Sequence, residues 1–329
     1  MKKVNLAIVG ATGMVGRTFL KVLEERNFPI DNLYLFSSAK SAGTKVIFNK
    51  KEYTVEELTE NSFDRDIQIA IFSAGGSISE KFAPIAKSKG VIVVDNSSFW
   101  RMNPEVPLVV PEVNPEDVKK HNGIIANPNC STIQAVLPLK TLHDKYKIKR
   151  IVYSTYQAVS GSGVNGVKDL ENGIEGKEND FYAKQIAYNC LPHIDVFTEN
   201  GYTKEEIKMI EETKKILGDN NLKITATTVR VPVKNSHSES VNVEFEKDFD
   251  LDELINSLKN SKNVIVSDGN DYPTAIDCSG YDEVFVGRIR RDFSVASGIN
   301  MWVVADNIRK GAATNTVQIA ELLLSYNLV

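Results

Sequence analysis

Lys3-Val4-Asn5-Leu6-Ala7-Ile8-Val9-Gly10-Ala11-Thr12-Gly13-Met14-Val15-Gly16 is the stretch on which the fold turns. A β-favouring run, Lys3 to Val9, breaks on glycine. Val15 to Glu25 follows, with Val15, Phe19, Val22 and Leu23 on one helical face. Strand, glycine turn and helix open a βαβ unit, and the helix N-terminus so created can seat a pyrophosphate. The glycines at 10, 13 and 16 are spaced GxxGxxG and not GxGxxG, so close helix–strand packing is an equally physical use for them. Downstream the alternation continues. Leu33 to Phe36, Ile67 to Phe72, Val91 to Val94 and Ile124 to Ala126 read as short strands, and Ser79 to Lys89 as a helix. Apolar strands separated by helices predict a parallel sheet covered on both faces.

Past Cys130 the texture changes. Ile151 to Tyr156, Lys223 to Val233, Ser240 to Glu246, Glu283 to Arg290 and Ile299 to Ala305 are strand candidates, several of which alternate apolar and polar residues. Such strands belong to a sheet with one wet face. Helices are expected near 132–146, 203–217 and 250–259, and an amphipathic one from Thr314 to Tyr326. The expected class is α/β: a Rossmann-like nucleotide-binding domain with a mainly parallel sheet over residues 1–129, then an α+β domain over 130–310. The last segment, 311–329, is expected to be a helix returning to the first domain.

Composition narrows the function. The chain has 329 residues, with 39 Lys plus Arg against 43 Asp plus Glu and a formal charge of −4. There is no basic excess to neutralise nucleic-acid phosphates. Cys130, Cys190 and Cys278 are too few and too scattered for a disulfide framework, and no CxxC or Cys/His cluster points to a metal. No apolar run approaches the roughly 20 residues that a membrane span needs. The expectation is a cytoplasmic protein without metal, membrane or nucleic-acid partner.

The end of the second strand selects the dinucleotide. NAD sites place Asp or Glu there to hold the ribose 2′-hydroxyl. Here the residues are Ser37-Ser38-Ala39-Lys40-Ser41, with no acid. Hydroxyls and a cation suit a 2′-phosphate, so NADP is expected, with Lys40 as its cation.

Cys130 follows Asn127-Pro128-Asn129 and opens the apolar-periodic run that begins Ser131-Thr132. A thiol at a helix N-terminus meets partial positive charge, which favours the nucleophilic thiolate. The backbone amides of that helix start are expected to stabilise an oxyanion. A partner base must come from His121, His143, His193 or His237. His143 sits among charged residues and reads as solvated. His237 reads as part of a loop between two strands, where chemistry concentrates, and is favoured. Gln157 is polar within an apolar strand, which marks a site.

Six motifs now carry a resemblance. They are Gly10-Ala11-Thr12-Gly13, Asn127-Pro128-Asn129-Cys130-Ser131-Thr132, Tyr156-Gln157-Ala158-Val159-Ser160-Gly161, Arg230-Val231-Pro232-Val233 with His237-Ser238-Glu239-Ser240, Phe285-Val286-Gly287-Arg288, and Met301-Trp302-Val303-Val304-Ala305-Asp306-Asn307 with Lys310-Gly311-Ala312-Ala313. In this order they resemble the aspartate-semialdehyde dehydrogenases over essentially the whole chain. The resemblance implies that 4-phospho-L-aspartate is reduced with NADPH to L-aspartate 4-semialdehyde, feeding the aspartate-family amino acids, in a homodimer built on the second, catalytic and dimerisation domain. It implies Cys130 as the acyl-accepting nucleophile, His237 as its acid/base partner and Gln157 as a positioning group. Arg230 would hold the substrate carboxylate, Glu205 its ammonium, and Arg101 and Lys208 the phosphate. On the residues alone, a surface ion pair three positions apart on a helix is the preferred reading of Glu205 and Lys208.

The implied cofactor contacts are Gly10, Thr12, Gly13, Met14 and Val15; Ser37, Lys40 and Ser41; Ser73, Ala74 and Gly75; Ser160 and Gly161; and Asn315. Lys40 stands where many relatives have Arg, a point charge in place of a fork. The competing readings are an N-acetyl-glutamyl-phosphate reductase-like enzyme, which would not need Glu205, and a non-catalytic NADP-binding regulator, which would not need Cys130, Gln157 and His237 together.

Overall fold

The structure, a computed structural model, describes residues 2–329. They fall into two units, one running to Pro128 and completed by Ala312–Val329, the other Asn129–Gly311.

In the first unit the chain forms β1 (Val4–Val9), α1 (Met14–Glu25), β2 (Ile30–Ser37), a hairpin of β3 (Lys45–Phe48) and β4 (Lys51–Thr54), β5 (Glu56–Glu57), β6 (Ile69–Phe72), α2 (Gly76–Ser88), β7 (Ile92–Asp95) and β8 (Ile124–Ala126). The main sheet has the order β5-β2-β1-β6-β7-β8, and every pairing in it is parallel. β1 is buried along its whole length, as an apolar strand covered on both faces should be. The sheet runs to β2 on one side of β1 and to β6 on the other. The carboxyl end of β1 is therefore a topological switch point, where α/β sheets bind ligands. Two glycines shape that end. Gly10 has φ +88°, and a Cβ on it would sit 2.3 Å from the Ser73 carbonyl oxygen; one on Gly16 would sit 2.1 Å from the Gly10 oxygen.

The second unit contains α3 (Cys130–Tyr146), β9 (Ile148–Gln157), α4 (Gly163–Ile174), α5 (Lys204–Leu217), β10 (Lys223–Arg230), β11 (His237–Phe245), α6 (Leu251–Lys259), β12 (Val264–Val266), α7 (Ala275–Cys278), β13 (Val284–Arg291) and β14 (Gly298–Ala305). Its sheet is mixed, in the order β10-β9-β11-β14-β13-β12. α3 packs on β9, β11 and β14, and α5 on β10. Alternation along β9 buries Ile151, Tyr153, Thr155 and Gln157 and leaves Tyr156 exposed, where it meets Trp302. The strand expected over Lys223 to Val233 stops at Arg230, ahead of Pro232, which has no N–H for a ladder.

A π-type turn, Arg309–Thr314, leads into α8 (Asn315–Ser325). α8 buries Val317, Ile319, Ala320 and Leu323 in the core of the first unit, and Arg26 forks onto Glu321 at 2.8 and 2.7 Å. No helix among the described residues is long and apolar enough to cross a membrane. No group of three or more His, Cys, Asp or Glu side chains among them is placed to hold a metal.

Candidate active site

Cys130 is the first residue of α3, and Asn129 is its N-cap. The Asn129 Oδ1 accepts the N–H groups of Ser131 and Thr132 at 3.0 and 3.3 Å. Its own N–H donates to Glu212 Oε2 at 2.6 Å and its Nδ2 to Glu205 Oε1 at 2.9 Å. The cap is therefore held from α5 as well as from its own helix. This corrects the oxyanion expectation, because the amides of Ser131 and Thr132 are already committed to Asn129. Cys130 is half-buried, and a Cβ on Gly311 would lie 2.9 Å from its Cβ, so glycine is required there for packing. Cys190 is exposed, and burial pushes the Cys278 thiol up to about 12.

His237 is not in a loop. It is the first residue of β11, opposite Ala305 on β14, and fully buried. Ser236 before it turns in the left-handed region at φ +71°, and the strand starts directly after it, three residues ahead of the Ser240 start that the sequence suggested. The Ala158 N–H donates to His237 Nδ1 at 2.9 Å, which assigns the proton of the neutral ring to Nε2. Burial, then the Arg230 guanidinium, hold the imidazole well below the ordinary histidine range. Arg230 ends β10, buried, and its Nη1 donates to the Ala158 carbonyl at 2.7 Å. His237 Nε2 and Arg230 Nε are both buried without a hydrogen-bond partner among the described residues. Gly161 lies beside the two side chains: a Cβ on it would be 2.9 Å from Arg230 Nη1, the nitrogen bonded to Ala158, and 3.3 Å from His237 Nε2. A buried donor without a partner calls for an explanation, and a hydrogen bond to a ligand is one.

Gln157 ends β9, and its Nε2 donates to Glu205 Oε1 at 3.1 Å. Glu205 lies in the first turn of α5, which opens on a Thr203–Glu206 capping box. Burial alone would raise the Glu205 carboxyl, but Lys208, Gln157, Asn129 and Arg230 bring it below the usual range, so it is an anion. Lys208 donates to Glu205 Oε2 at 3.2 Å and to Asp195 Oδ2 at 2.7 Å. Lys208, half-buried, thus links the buried Glu205 carboxylate to the exposed Asp195. A cavity of about 560 Å³ opens beside Arg230, with Tyr182, Leu191, Asp195 and Phe197 in its wall.

The second unit thus gathers Cys130, Gln157, Glu205, Lys208, Arg230, His237 and Gly161 through shared partners. Sequence reading missed Asn129 as a cap, although Asn before Cys-Ser-Thr at a helix start is a capping signature. It also missed Glu212 and Asp195, for which no local signal exists, and quoted Gly311 within a motif without its packing role. Ser160 sits in the same turn as Gly161, with its hydroxyl on the Asn307 side chain. His143 is buried, not solvated: its Nδ1 accepts the Ile148 N–H at 3.3 Å, and burial lowers its pKa.

In the first unit Gly10, Thr12, Gly13, Ser37, Ser73 and Ala74 share the wall of a cavity of about 320 Å³. Thr12 and Ser37 join through their hydroxyls at 2.9 Å. Met14 and Val15 open α1, whose N-cap, Gly13, offers no side chain to its first amides. Gly75, at φ +90°, precedes α2. Lys40 is exposed in the turn Ala39–Ser41, which carries no acid. These residues fit a dinucleotide: bare amides for the pyrophosphate, glycines where a Cβ would collide, and no carboxylate against a 2′-phosphate. Asn315 spends its amide on Val109 O and Asn127 Oδ1, at 3.0 and 2.7 Å. Arg101, buried, donates from Nε to Asn127 O at 2.9 Å and from Nη2 to Asn96 O at 3.1 Å.

Known proteins share this arrangement. The family described as "Semialdehyde dehydrogenase, NAD binding domain" matches residues 5–121, and "Semialdehyde dehydrogenase, dimerisation domain" matches 139–310. The chain is 60% identical to the aspartate-semialdehyde dehydrogenase of Aquifex aeolicus, with 99% of each chain covered. The crystal structure of aspartate semialdehyde dehydrogenase II complexed with ASA from Vibrio cholerae superposes with a TM-score of 0.96 at 48% identity, covering 99% of each chain. That of the Candida albicans enzyme with NADP gives 0.81 at 26% identity over 100% of each.

Proposed function

This chain belongs to the aspartate-semialdehyde dehydrogenase family, oxidoreductases with a nicotinamide-binding domain, and we propose that it forms L-aspartate 4-semialdehyde from 4-phospho-L-aspartate with NADPH. The observation that carries the reading is that His237 Nε2 and Arg230 Nε are both buried without a partner among the described residues, with Gly161 leaving no side chain beside His237 Nε2.

The Cys130 thiolate attacks the acyl carbon, the bond from that carbon to the phosphate oxygen breaks, and phosphate departs with the electron pair. Sulfur suits the step because it is nucleophilic near neutral pH. Bound NADPH supplies the hydride that reduces the resulting thioester. The carbon–sulfur bond then breaks, sulfur regains its electron pair, and the aldehyde is released. Arg230 holds the substrate carboxylate through its fork, Gln157 orients the substrate, and Glu205, as an anion, receives the ammonium. Arg101 and Lys208 bind the phosphate.

His237 takes a narrower part than general acid/base. A neutral ring with its proton on Nε2 and its Nδ1 occupied by Ala158 donates a hydrogen bond to the acyl oxygen as charge builds there. It has no second proton to give.

NADP over NAD is supported by Lys40 and by the absence of an acid from the Ser37–Ser41 turn. A homodimer is supported by the dimerisation-domain match and by the exposed Tyr156 and Tyr272 of the second unit. The composition supports a cytoplasmic enzyme, and the family supports a place in amino-acid biosynthesis. The test is phosphate-dependent reduction of NADP by aspartate semialdehyde, run beside NAD. Turnover without phosphate, or none with it, overturns the reading.

A further inference from the structure

The phosphate role of Arg101 raises the question of what holds that guanidinium in place. In the first unit β7 ends at Asp95, whose side chain is completely buried. Its Oδ2 accepts the Ser97 hydroxyl at 2.6 Å and its Oδ1 the Ser97 N–H at 3.2 Å, so one carboxyl folds the chain back directly after the strand. Ser97 Oγ in turn accepts the Phe99 N–H at 3.3 Å. Trp100 donates from Nε1 to Ser79 Oγ at 3.1 Å, and Ser79 is a further hydrogen-bonding neighbour of the Asp95 carboxyl. Ser97, Phe99 and Trp100, on the way to Arg101, are therefore tied to Asp95, directly or through one hydroxyl.

The far side is tied as well. The two carbonyls that receive Arg101 belong to Asn96 and Asn127. Asn96 is the residue after Asp95. Asn127 donates its N–H to the Asp95 carbonyl at 2.7 Å and its Nδ2 to Asn96 Oδ1 at 2.8 Å. Asn315 then fixes Asn127 Oδ1 at 2.7 Å.

We propose that Asp95 is the positioning residue for Arg101, setting phosphate affinity by fixing the 96–101 loop that carries the guanidinium. It touches no reacting atom. Burial pushes the Asp95 carboxyl up, and Ser97, Ser79 and Arg101 pull it part of the way back. The inference rests on the phosphate role of Arg101.

The experiment varies inorganic phosphate as substrate in the semialdehyde-oxidising direction, for Arg101→Gln, Asp95→Asn and Ser97→Ala. Arg101→Gln is expected to raise the KM for phosphate about a hundredfold, as the loss of a charged hydrogen-bonding partner should. Asp95→Asn is expected to raise the same KM about tenfold while the KM for the semialdehyde and kcat stay within about twofold. Ser97→Ala, which keeps the carboxyl and removes its nearest hydroxyl, is expected to give a smaller shift of the same selective kind. It decides the matter should Asp95→Asn fail to fold. A merely structural Asp95 would lower stability and leave the phosphate KM alone. If Arg101→Gln raises that KM and neither loop variant does, the role of Asp95 is overturned and the reading of Arg101 stands. If Arg101→Gln leaves it unchanged, the reading of Arg101 falls and the inference falls with it.

Discussion

Two helices begin where ligands are expected, and they begin differently. α1 starts behind Gly13, with no side chain on its first amides. α3 starts behind Asn129, whose Oδ1 takes the amides of Ser131 and Thr132. A bare helix start offers its donors to something outside the chain, here a pyrophosphate. A capped start has given them away and offers only the charge of the helix end, here to the Cys130 side chain it carries. The same contrast separates the two sites as wholes. The first presents backbone and glycine; the second is a network of paired side chains in which ten buried side-chain polar atoms are left over among the described residues. In such a network the leftovers are the informative atoms.

Replacing the sulfur tests the capped helix start most severely. Cys130→Ser is expected to lower kcat by at least about a thousandfold. NADPH titration followed by fluorescence should be almost unchanged, because the bare helix start belongs to the other unit. Substantial residual turnover would remove Cys130 from its assigned role.

The next test asks whether a leftover donor is used as a donor. His237→Ala should cost about a hundredfold or more in kcat, the usual loss for one oxyanion donor. His237→Gln puts an amide N–H near the position of Nε2 and carries no titratable proton. It should recover about tenfold of that loss, with a pH profile parallel to wild type. Equal inactivity of the two variants would mean that proton transfer is required after all.

At the bare helix start the expected effect is smaller. Lys40 is exposed, so Lys40→Glu should shift the ratio of NADP to NAD affinity by about tenfold toward NAD, on the order of one charged contact. An unchanged ratio would separate Lys40 from the 2′-phosphate.

What could be read in advance follows the same division. The parallel sheet was legible because β1, β6, β7 and β8 are short, apolar and buried on both faces. The β3–β4 hairpin was not, because most of Lys45–Thr54 is polar and exposed and lacks a buried stripe. α4 was hidden by Gly163, Gly166 and Gly173, which argue against a helix until packing is known. A Cβ on Gly166 would meet the Val159 oxygen at 2.5 Å and the Tyr182 hydroxyl at 2.7 Å, so tertiary fit overrides propensity there. In the site, residue types were legible and pairings were not. Nothing near Asn129 announces Glu212, which reaches it across 83 positions. His143 was misjudged because its neighbours in sequence are charged while its own face of α3 is buried.

Glu239 is the leftover that tests the rule itself. It lies on β11, two residues after His237 and on the same face, fully buried, with neither carboxyl oxygen hydrogen-bonded among the described residues. Its partners in register, Thr155 and Val303, carry no charge, and the titratable side chain that feels it, Tyr153, is itself held neutral by burial. An ionised carboxylate cannot be kept there without a donor, so Glu239 is a neutral acid, its pKa raised well above the ordinary value by burial. The sign of the consequence is fixed. The folded state holds this proton more tightly than the unfolded state, so the stabilisation is complete below the unfolded pKa. It is lost as pH rises toward and through the folded value. Between about pH 4.5 and the folded value wild type should therefore lose about 1.4 kcal/mol per pH unit relative to Glu239→Gln, which cannot ionise. Urea midpoints at pH 5 and pH 8 measure it, and kcat at neutral pH should agree within about twofold. Parallel loss in the two proteins would mean that Glu239 is charged and finds a partner. In that case a bare buried atom would no longer mark a ligand, and the assignment of His237 Nε2 and Arg230 Nε would need a different support.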